Sequence, residues 1–432
     1  MNRFIILCII NFFSFEIING DVEKLRGIYS WKSLDFKYPT VNAREQAIRN
    51  GSFIFGAPFP IDVDVARVGF RNEQKLFITI PRFQNGVPVT LGYVTKFSFQ
   101  GNPLIAPYPN WEMNTLDGNC NHIISVFRIK VDECNRLWVL DTGKLIEDQI
   151  CPPKIVVFDL SNNRLISSYN FPNNQVYSDS LFITPAIDIR YHRCDDAFVY
   201  IADVEKYQLI VYDHRNKKSW NIQNKLFAAD SNYSNFTING QSFNLMDGIF
   251  GLALGPVLPN NDRILYFHSL ASNVENYVYT SIIRESRRFN GNPNAARNYF
   301  QTFNYQRPSQ SAAEAMTKDG VLFYSLLSQT ALACWNSQNN PELNANDVAI
   351  LVQNSETLQF PSGLKISASL NGPEELWMIT VRFQKIATDT INPNETNFRI
   401  QAGYVNELIR GSKCAPKSYN NNHHHHYNGN YN

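Results

Sequence analysis

DECNRLWVLDTG, residues 132–143, reads as one strand between two turns. Cys134-Asn135 is turn chemistry between two apolar runs. Leu137 to Leu140 is continuously apolar, the mark of a strand buried on both faces. Asp141-Thr142-Gly143 ends it. The same signature, a leucine or valine followed at once by an aromatic residue and more apolar residues, recurs along the chain. It stands at Leu76-Phe77, Val199-Tyr200, Leu265-Tyr266, Leu322-Phe323 and Leu376-Trp377, with successive aromatics 54 to 66 residues apart. Six copies at a near-regular period predict a repeat architecture.

Working outward, residues 124–131, 136–141, 154–160 and 164–171 read as four strands around the first-quoted copy. The next unit repeats them at 186–191, 197–203, 208–213 and 218–222. A fourth unit has 251–254, 263–270, 276–283 and a strand near 299–303; a fifth has 312–316, 321–326, 331–336 and 347–352. The first unit shows 63–69, 75–80 and 90–97, with proline-rich 103–111 as a packed connector. The sixth shows 363–369, 375–380 and 398–408 and lacks a fourth strand. A lone strand at 31–39 (WKSLDFKYP) is the candidate to supply it and close the ring. The expected fold is therefore all-β: a six-bladed β-propeller with four-stranded blades over residues 21–415, closed by an N-terminal strand. One aromatic ring per blade then packs against the neighbouring blade. An array of β-sandwiches would make the six-fold spacing a coincidence. A helical solenoid fails because the apolar runs are short and alternating.

The 432 residues carry 39 basic and 38 acidic side chains, so no global field favours nucleic acid, and no basic run appears. Residues 1–20 read as a secretory signal: Arg3 is the positive end, 4–10 the apolar stretch, and Gly20 a small residue before the cut, with Glu16 an awkward charge. No uninterrupted run reaches the ~18 apolar residues of a membrane span. The expectation is a secreted, extracellular protein. Cysteine usage agrees. Losing Cys8 with the leader leaves Cys120, Cys134, Cys151, Cys194, Cys334 and Cys414, an even set whose number leaves the pairing open. No CxxC spacing points to zinc. Glycosylation sequons stand at Asn50, Asn232, Asn235 and Asn394. The Asn/His/Tyr-rich tail, 416–432, reads as disordered, and its His423 to His426 as solvated low complexity.

Several segments together resemble the insect yellow and major royal jelly protein family. They are DECNRLWVLDTG (132–143), KIVVFDL (154–160), VYIADVEKYQLIVYD (199–213), DGIFGLALGP (247–256), LYFHSLAS (265–272), DGVLFYSLLSQTALACWN (319–336) and NFRI (397–400). The similarity runs from about Trp31 to Cys414, and the DTG and polar tail look more like a yellow-type member. The resemblance implies a secreted six-bladed propeller. It also implies one of three roles: a channel that binds small aromatic amines in pigmentation or cuticle melanisation, a dopachrome-converting isomerase, or a storage or scaffold protein. The last would associate with a protein partner or with itself. Fold does not choose among them.

Loops joining second to third strands, and the starts of innermost strands, open on one face of a propeller. Asp141, Asp203, Ser269 and Thr380 end second strands there, while Asp247, Ser311 and Glu314 stand near innermost strands. These seven are the candidate ligand-binding residues. Carboxylates can pair with an ammonium group and apolar neighbours can hold an aromatic ring. Asp141 and Asp203 equally suit side-chain capping of their turns. Glu314, in apolar SAAEAM, must be paired or face a channel. Arg82 and Arg382 are candidate salt-bridge partners for these acids. Six-bladed lactonases hold calcium with such carboxylates, but no spacing singles out a metal site here. No cofactor or metal is expected. A tautomerase needs a base, for which His268 or Asp203 are candidates, although His268 mid-strand suits a core position. GxSxG and GxxxxGK[ST] are absent.

The propeller reading also orders the cysteines. Cys134 and Cys194 hold equivalent turns (DECN, HRCD) in adjacent blades, and Cys120 and Cys151 flank the strands of one blade on the opposite face. Cys334–Cys414 then ties the fifth blade to the end of the chain.

Overall fold

Each copy of the signature becomes the second strand of an antiparallel sheet, because only a strand walled in on both faces can be apolar at every position. The computed structural model describes residues 24–69, 73–368 and 372–417. Blade two consists of Val126–Val131, Arg136–Asp141, Lys154–Asp159 and Arg164–Asn170, from the axis outward. Blade three follows with Phe182–Asp188, Phe198–Asp203, Gln208–Asp213 and Lys218–Gln223. Blade four has Ile249–Leu254, Ile264–Ser269, Val274–Tyr279 and Gln301–Gln306; blade five has Glu314–Met316, Val321–Leu326, Ala331–Asn336 and Val348–Gln353. Innermost strands of successive blades pack side by side, and that of blade six, Pro361–Ala368, meets that of blade one, Asp62–Val68. That closure makes the chain a six-bladed β-propeller.

The aromatic column is the glue between blades. Phe77, Trp138, Tyr200, Tyr266, Phe323 and Trp377 are all buried. Each sits in an apolar cluster shared with the following blade: Trp138 with Ile201 and Tyr212 of blade three, Tyr266 with Tyr324 and Trp335 of blade five. Trp377 packs with Val63 and Ile78 of blade one and so completes the circle. Burial of each such ring contributes on the order of 2–3 kcal/mol.

Three expectations are corrected. The closing strand is Arg26–Trp31, antiparallel to Phe398–Tyr404 with Trp31 opposite Phe398, not 31–39. Most of that strand faces solvent, so it carries little apolar pattern. The apolar residues after it, Leu34 and Phe36, are buried in the same cluster as blade one's Val63 and Ile105, and Asp35–Phe36 adds a short parallel strand there. Residues 103–111 are not a connector throughout, since Asn102–Pro107 is blade one's fourth strand. Its prolines stand near the strand ends, where a missing N–H costs little. The strand expected over 398–408 stops at Tyr404 and turns into a short helix, Val405–Ile409. The leader, and the tail from residue 418, lie outside the described residues.

Three disulfides join Cys120 to Cys151, Cys134 to Cys194, and Cys334 to Cys414. The last closes a loop of 80 residues. The chain-entropy model values such a loop at up to about 4.5 kcal/mol. Cys334→Ala with Cys414→Ala is therefore expected to lower unfolding free energy by several kcal/mol in urea titrations. A loss under about 1 kcal/mol would show that the clasp is redundant. Asn50, Asn232, Asn235 and Asn394 are all exposed. Among the described residues no helix is long and apolar enough to cross a membrane.

Candidate functional site

Four innermost strands share one irregularity. The ladder to the second strand slips between Val126 and Ile129, Phe182 and Thr184, Ile249 and Gly251, and Pro361 and Gly363. Each slip inserts an extra residue near the strand's start, a β-bulge, which re-aims side chains that the alternation would place elsewhere. Phe127, Arg128, Ile183, Phe250 and Ser362 stand at these bulges, and all line one cavity of about 150 Å³. Loops after second strands add Phe83, Val204, Leu270 and Phe383. The cavity thus lies on the face where innermost strands begin. A dry cavity of about this size, walled by apolar side chains, accommodates one benzene-sized ring.

Arg128 is its floor. Its Nη1 donates to Thr184 Oγ1 at 2.7 Å and its Nη2 to the Ser362 carbonyl at 2.6 Å, while the guanidinium lies 4.4 Å from the Phe250 ring centre. The side chain ties together blades two, three, four and six. It is buried, and its Nε has no acceptor among the described residues. Burial pushes the guanidinium down to about 10, against the pull of Asp62, so it stays charged at neutral pH. Nearby, Lys365 Nζ donates to both Asp62 carboxylate oxygens at 2.7–2.8 Å, joining the innermost strands of blades six and one.

Asp247 is the acid of the cavity wall. It precedes blade four's innermost strand, and its carboxylate accepts no hydrogen bond among the described residues. Burial, reinforced by the nearby Glu205 carboxylate, raises it to about 7. Gly248 lets the chain pass here, because a Cβ would stand 2.2 Å from the Tyr207 ring and 2.4 Å from the Phe227 carbonyl oxygen.

The other six candidate residues turn into the blades. Asp141 accepts from the backbone N–H groups of Ile124, Ser125 and Gly143 at 2.8–3.0 Å and pairs with Lys154. Asp203 accepts from the Leu181 N–H and Gln208 Nε2, both at 2.8 Å. Ser269 donates to the Phe227 carbonyl and Thr380 to that of Thr357. Ser311 is fully buried beside Ser325. These groups fasten strands and line no part of the cavity. Arg82 and Arg382 do not serve those acids either. Arg82 spends its donors on the carbonyls of Val87, Pro88, Asn114, Ile123 and Ile124, and Arg382 pairs with Glu356 and Glu395.

Glu314 is paired rather than facing the channel. It and Glu275 both meet His268 Nδ1 at 3.1 Å, and Arg307 Nη1 reaches Glu275 at 2.5 Å. His268 Nε2 faces the Ala312 carbonyl at 2.9 Å, so that nitrogen carries a proton. Burial alone would push the imidazolium down; Glu314 and Glu275 outweigh it and raise His268 to about 9. His268 is thus a charged staple between blades four and five, not a base. His268, Glu275 and Glu314 bring three ligand-type atoms within 4.8 Å of one another. Two cations, Arg307 and His268, already balance the two carboxylates, so the cluster needs no metal for charge. Sequence reasoning reached Asp247 but missed Arg128, Phe127 and Phe250, because the bulges hide their facing, and Glu205, Phe83 and Phe383, which stand in segments after second strands where no alternation assigns a face.

The family model described as "Major royal jelly protein" matches residues 124–414. This chain belongs to the major royal jelly protein family. Its relatives include Major royal jelly protein 9 of Apis mellifera, 37% identical over 402 residues, covering 89% of each chain. The Dopaminechrome tautomerase of Drosophila melanogaster is 35% identical over 91% of this chain and 85% of its own. Protein yellow of the same fly is 33% identical over 90% of this chain and 71% of its own.

Proposed function

We propose that the cavity binds a small aromatic amine or catechol-derived ring, and that the protein is secreted and acts in pigmentation or cuticle melanisation. Asp247 carries this reading: an acid without a hydrogen-bond partner, at the edge of a phenylalanine-walled chamber sized for one ring. An ammonium group would supply its missing partner while the ring fills the apolar space. The relatives named for yellow and for dopaminechrome support the pigmentation role, and three disulfides suit an oxidising compartment. Calorimetric titration with dopamine, serotonin and dopachrome is expected to give micromolar affinity for at least one. Affinities no tighter than millimolar for all three, in folded protein, would overturn the reading.

A second reading is tautomerisation of an aminochrome, favoured by the same carboxyl. A tautomerase removes a proton from a ring carbon and returns one to a ring oxygen, and the ideal base has a pKa near the working pH. Asp247, at about 7, meets that condition. Arg128 on the floor supplies positive charge, and its Nε an N–H without a partner, for an oxygen that gains charge. Loss of dopachrome or dopaminechrome absorbance, followed with purified protein, tests it; a rate equal to buffer alone excludes it.

A further inference from the structure

Beside the ring chamber lies a smaller pocket of about 30 Å³. The two share Phe83, Phe127, Leu181 and Glu205, so they are adjoining rooms rather than separate sites. The chamber is mostly apolar, whereas the annex adds the buried Lys144, Arg82 and Ser125 and the exposed Ile146 and Glu147. Lys144 begins a short hairpin after blade two's second strand and is only 5% exposed. Buried lysines are rare unless paired. Yet among the described residues the Lys144 ammonium has neither a hydrogen-bond acceptor nor a carboxylate at ion-pair distance. It acts on Glu205 only through space, opposing the upward push of burial on that carboxyl. Ser125 Oγ accepts the Arg82 N–H at 2.9 Å, and its own hydroxyl proton has no acceptor among the described residues. Arg82 cannot turn toward the annex, because its guanidinium is committed to backbone carbonyls.

Two donors without acceptors thus face a space that holds about two oxygen-sized groups, taking 10–15 Å³ for each. We propose that the annex is a carboxylate subsite, with Lys144 and Ser125 as its donors. The preferred ligand is then an amino-acid-derived ring that keeps its carboxylate, rather than the decarboxylated amine. The inference rests on the reading of the chamber as a ring site and specifies which ring. The charges run the right way for a zwitterion. Asp247 lies on the chamber side for an amino group and the buried Lys144 on the annex side for the carboxylate, while the two other acids, Glu205 on the shared wall and Glu147 in the annex, are exposed to solvent. A decarboxylated amine would leave Lys144 without a partner, whereas a carboxylate supplies one and gains a charge-assisted hydrogen bond.

The test uses matched pairs that differ only in the carboxylate: L-DOPA against dopamine, and 5-hydroxytryptophan against serotonin. Calorimetric titration of the full chain is expected to show the carboxylated member of at least one pair binding about ten-fold tighter, the worth of one charge-assisted hydrogen bond. Lys144→Met should reduce that ratio to near one and leave the affinity for the amine within about two-fold, while Lys144→Arg should keep most of the preference. Retained amine binding shows that the variant is folded; Lys144→Gln serves if the Met variant is not. Equal or tighter binding of the amines to the natural chain overturns the subsite and leaves the ring reading intact. An unchanged ratio in both Lys144→Met and Lys144→Gln does the same. Failure of all four compounds to bind overturns the ring reading and the subsite together.

Discussion

Asp247→Asn is expected to lower aminochrome tautomerisation by about 10²- to 10⁴-fold, the usual contribution of a positioned general base. The substitution keeps shape and volume and removes only the charge and the basicity. Amine binding should weaken as well, by about ten-fold, since the ammonium loses its charged partner. The pH profile gives an independent check. A base held at about 7 makes kcat/KM climb as pH rises through about 7. Burial is the main cause of that position and Glu205 the second, so Glu205→Gln should move the inflection to lower pH without removing it. Stability should change in the opposite direction to activity. A carboxyl whose folded pKa lies above its ordinary 3.8 favours the protonated form in the fold. Its charge therefore costs stability progressively from about pH 4 to about pH 7, and fully above that. Asp247→Asn should raise the thermal midpoint at pH 8 and leave it unchanged near pH 3.5. A variant that loses stability at pH 8 would mark Asp247 as structural, like Asp141 and Asp203.

Legibility in the sequence divides along a physical line. Strands whose residues are walled in on both faces announce themselves, because burial demands apolar side chains at every position. This is why Leu137 to Leu140 and its five counterparts were readable, and why their aromatics mark the contacts between blades. The closing strand, Arg26–Trp31, is largely exposed, so nothing in its residue types reveals that it completes the ring. The site is obscured for another reason. A strand's two faces are assigned by alternation, and a single inserted residue reverses the assignment beyond it. The slips at Phe127, Ile183, Phe250 and Ser362 are backbone events with no residue-type signature. Asp141 and Asp203 resemble site residues because a carboxylate that fastens a turn and one that meets a ligand stand at the same place in the repeat. Only their N–H partners tell them apart from Asp247.

The largest stability effect is expected at the staple between blades four and five, and it should be strongly asymmetric. Glu275→Gln is expected to cost about 3–5 kcal/mol, the loss seen when a buried charge is left without its partner. Glu314→Gln should cost far less. For Glu275, burial pushes the carboxyl up, but His268 and Arg307 outweigh it and hold it below its ordinary value. Its charge therefore stabilises the fold. For Glu314, burial and then Glu275 raise the carboxyl, and His268 and Arg307 offset this only in part. Its charge is a burden in the fold, and a neutral amide of the same shape relieves that burden. Urea titrations of both variants at pH 7 read the difference directly. The pH dependence follows with opposite signs. The contribution of Glu275 is present above about pH 4.5 and fades as pH falls through its depressed value. That of His268 is whole below about pH 6.5 and is lost as pH rises through about 9, where the imidazolium gives up its proton between two carboxylates. Stability should therefore decline on the alkaline side in the natural chain, and this decline should flatten in a His268→Gln variant. Equal losses for the two glutamines would mean that the carboxylates share the cations evenly. The staple would then be a symmetric four-charge cluster, instead of a Glu275–Arg307–His268 core with Glu314 as its costly neighbour.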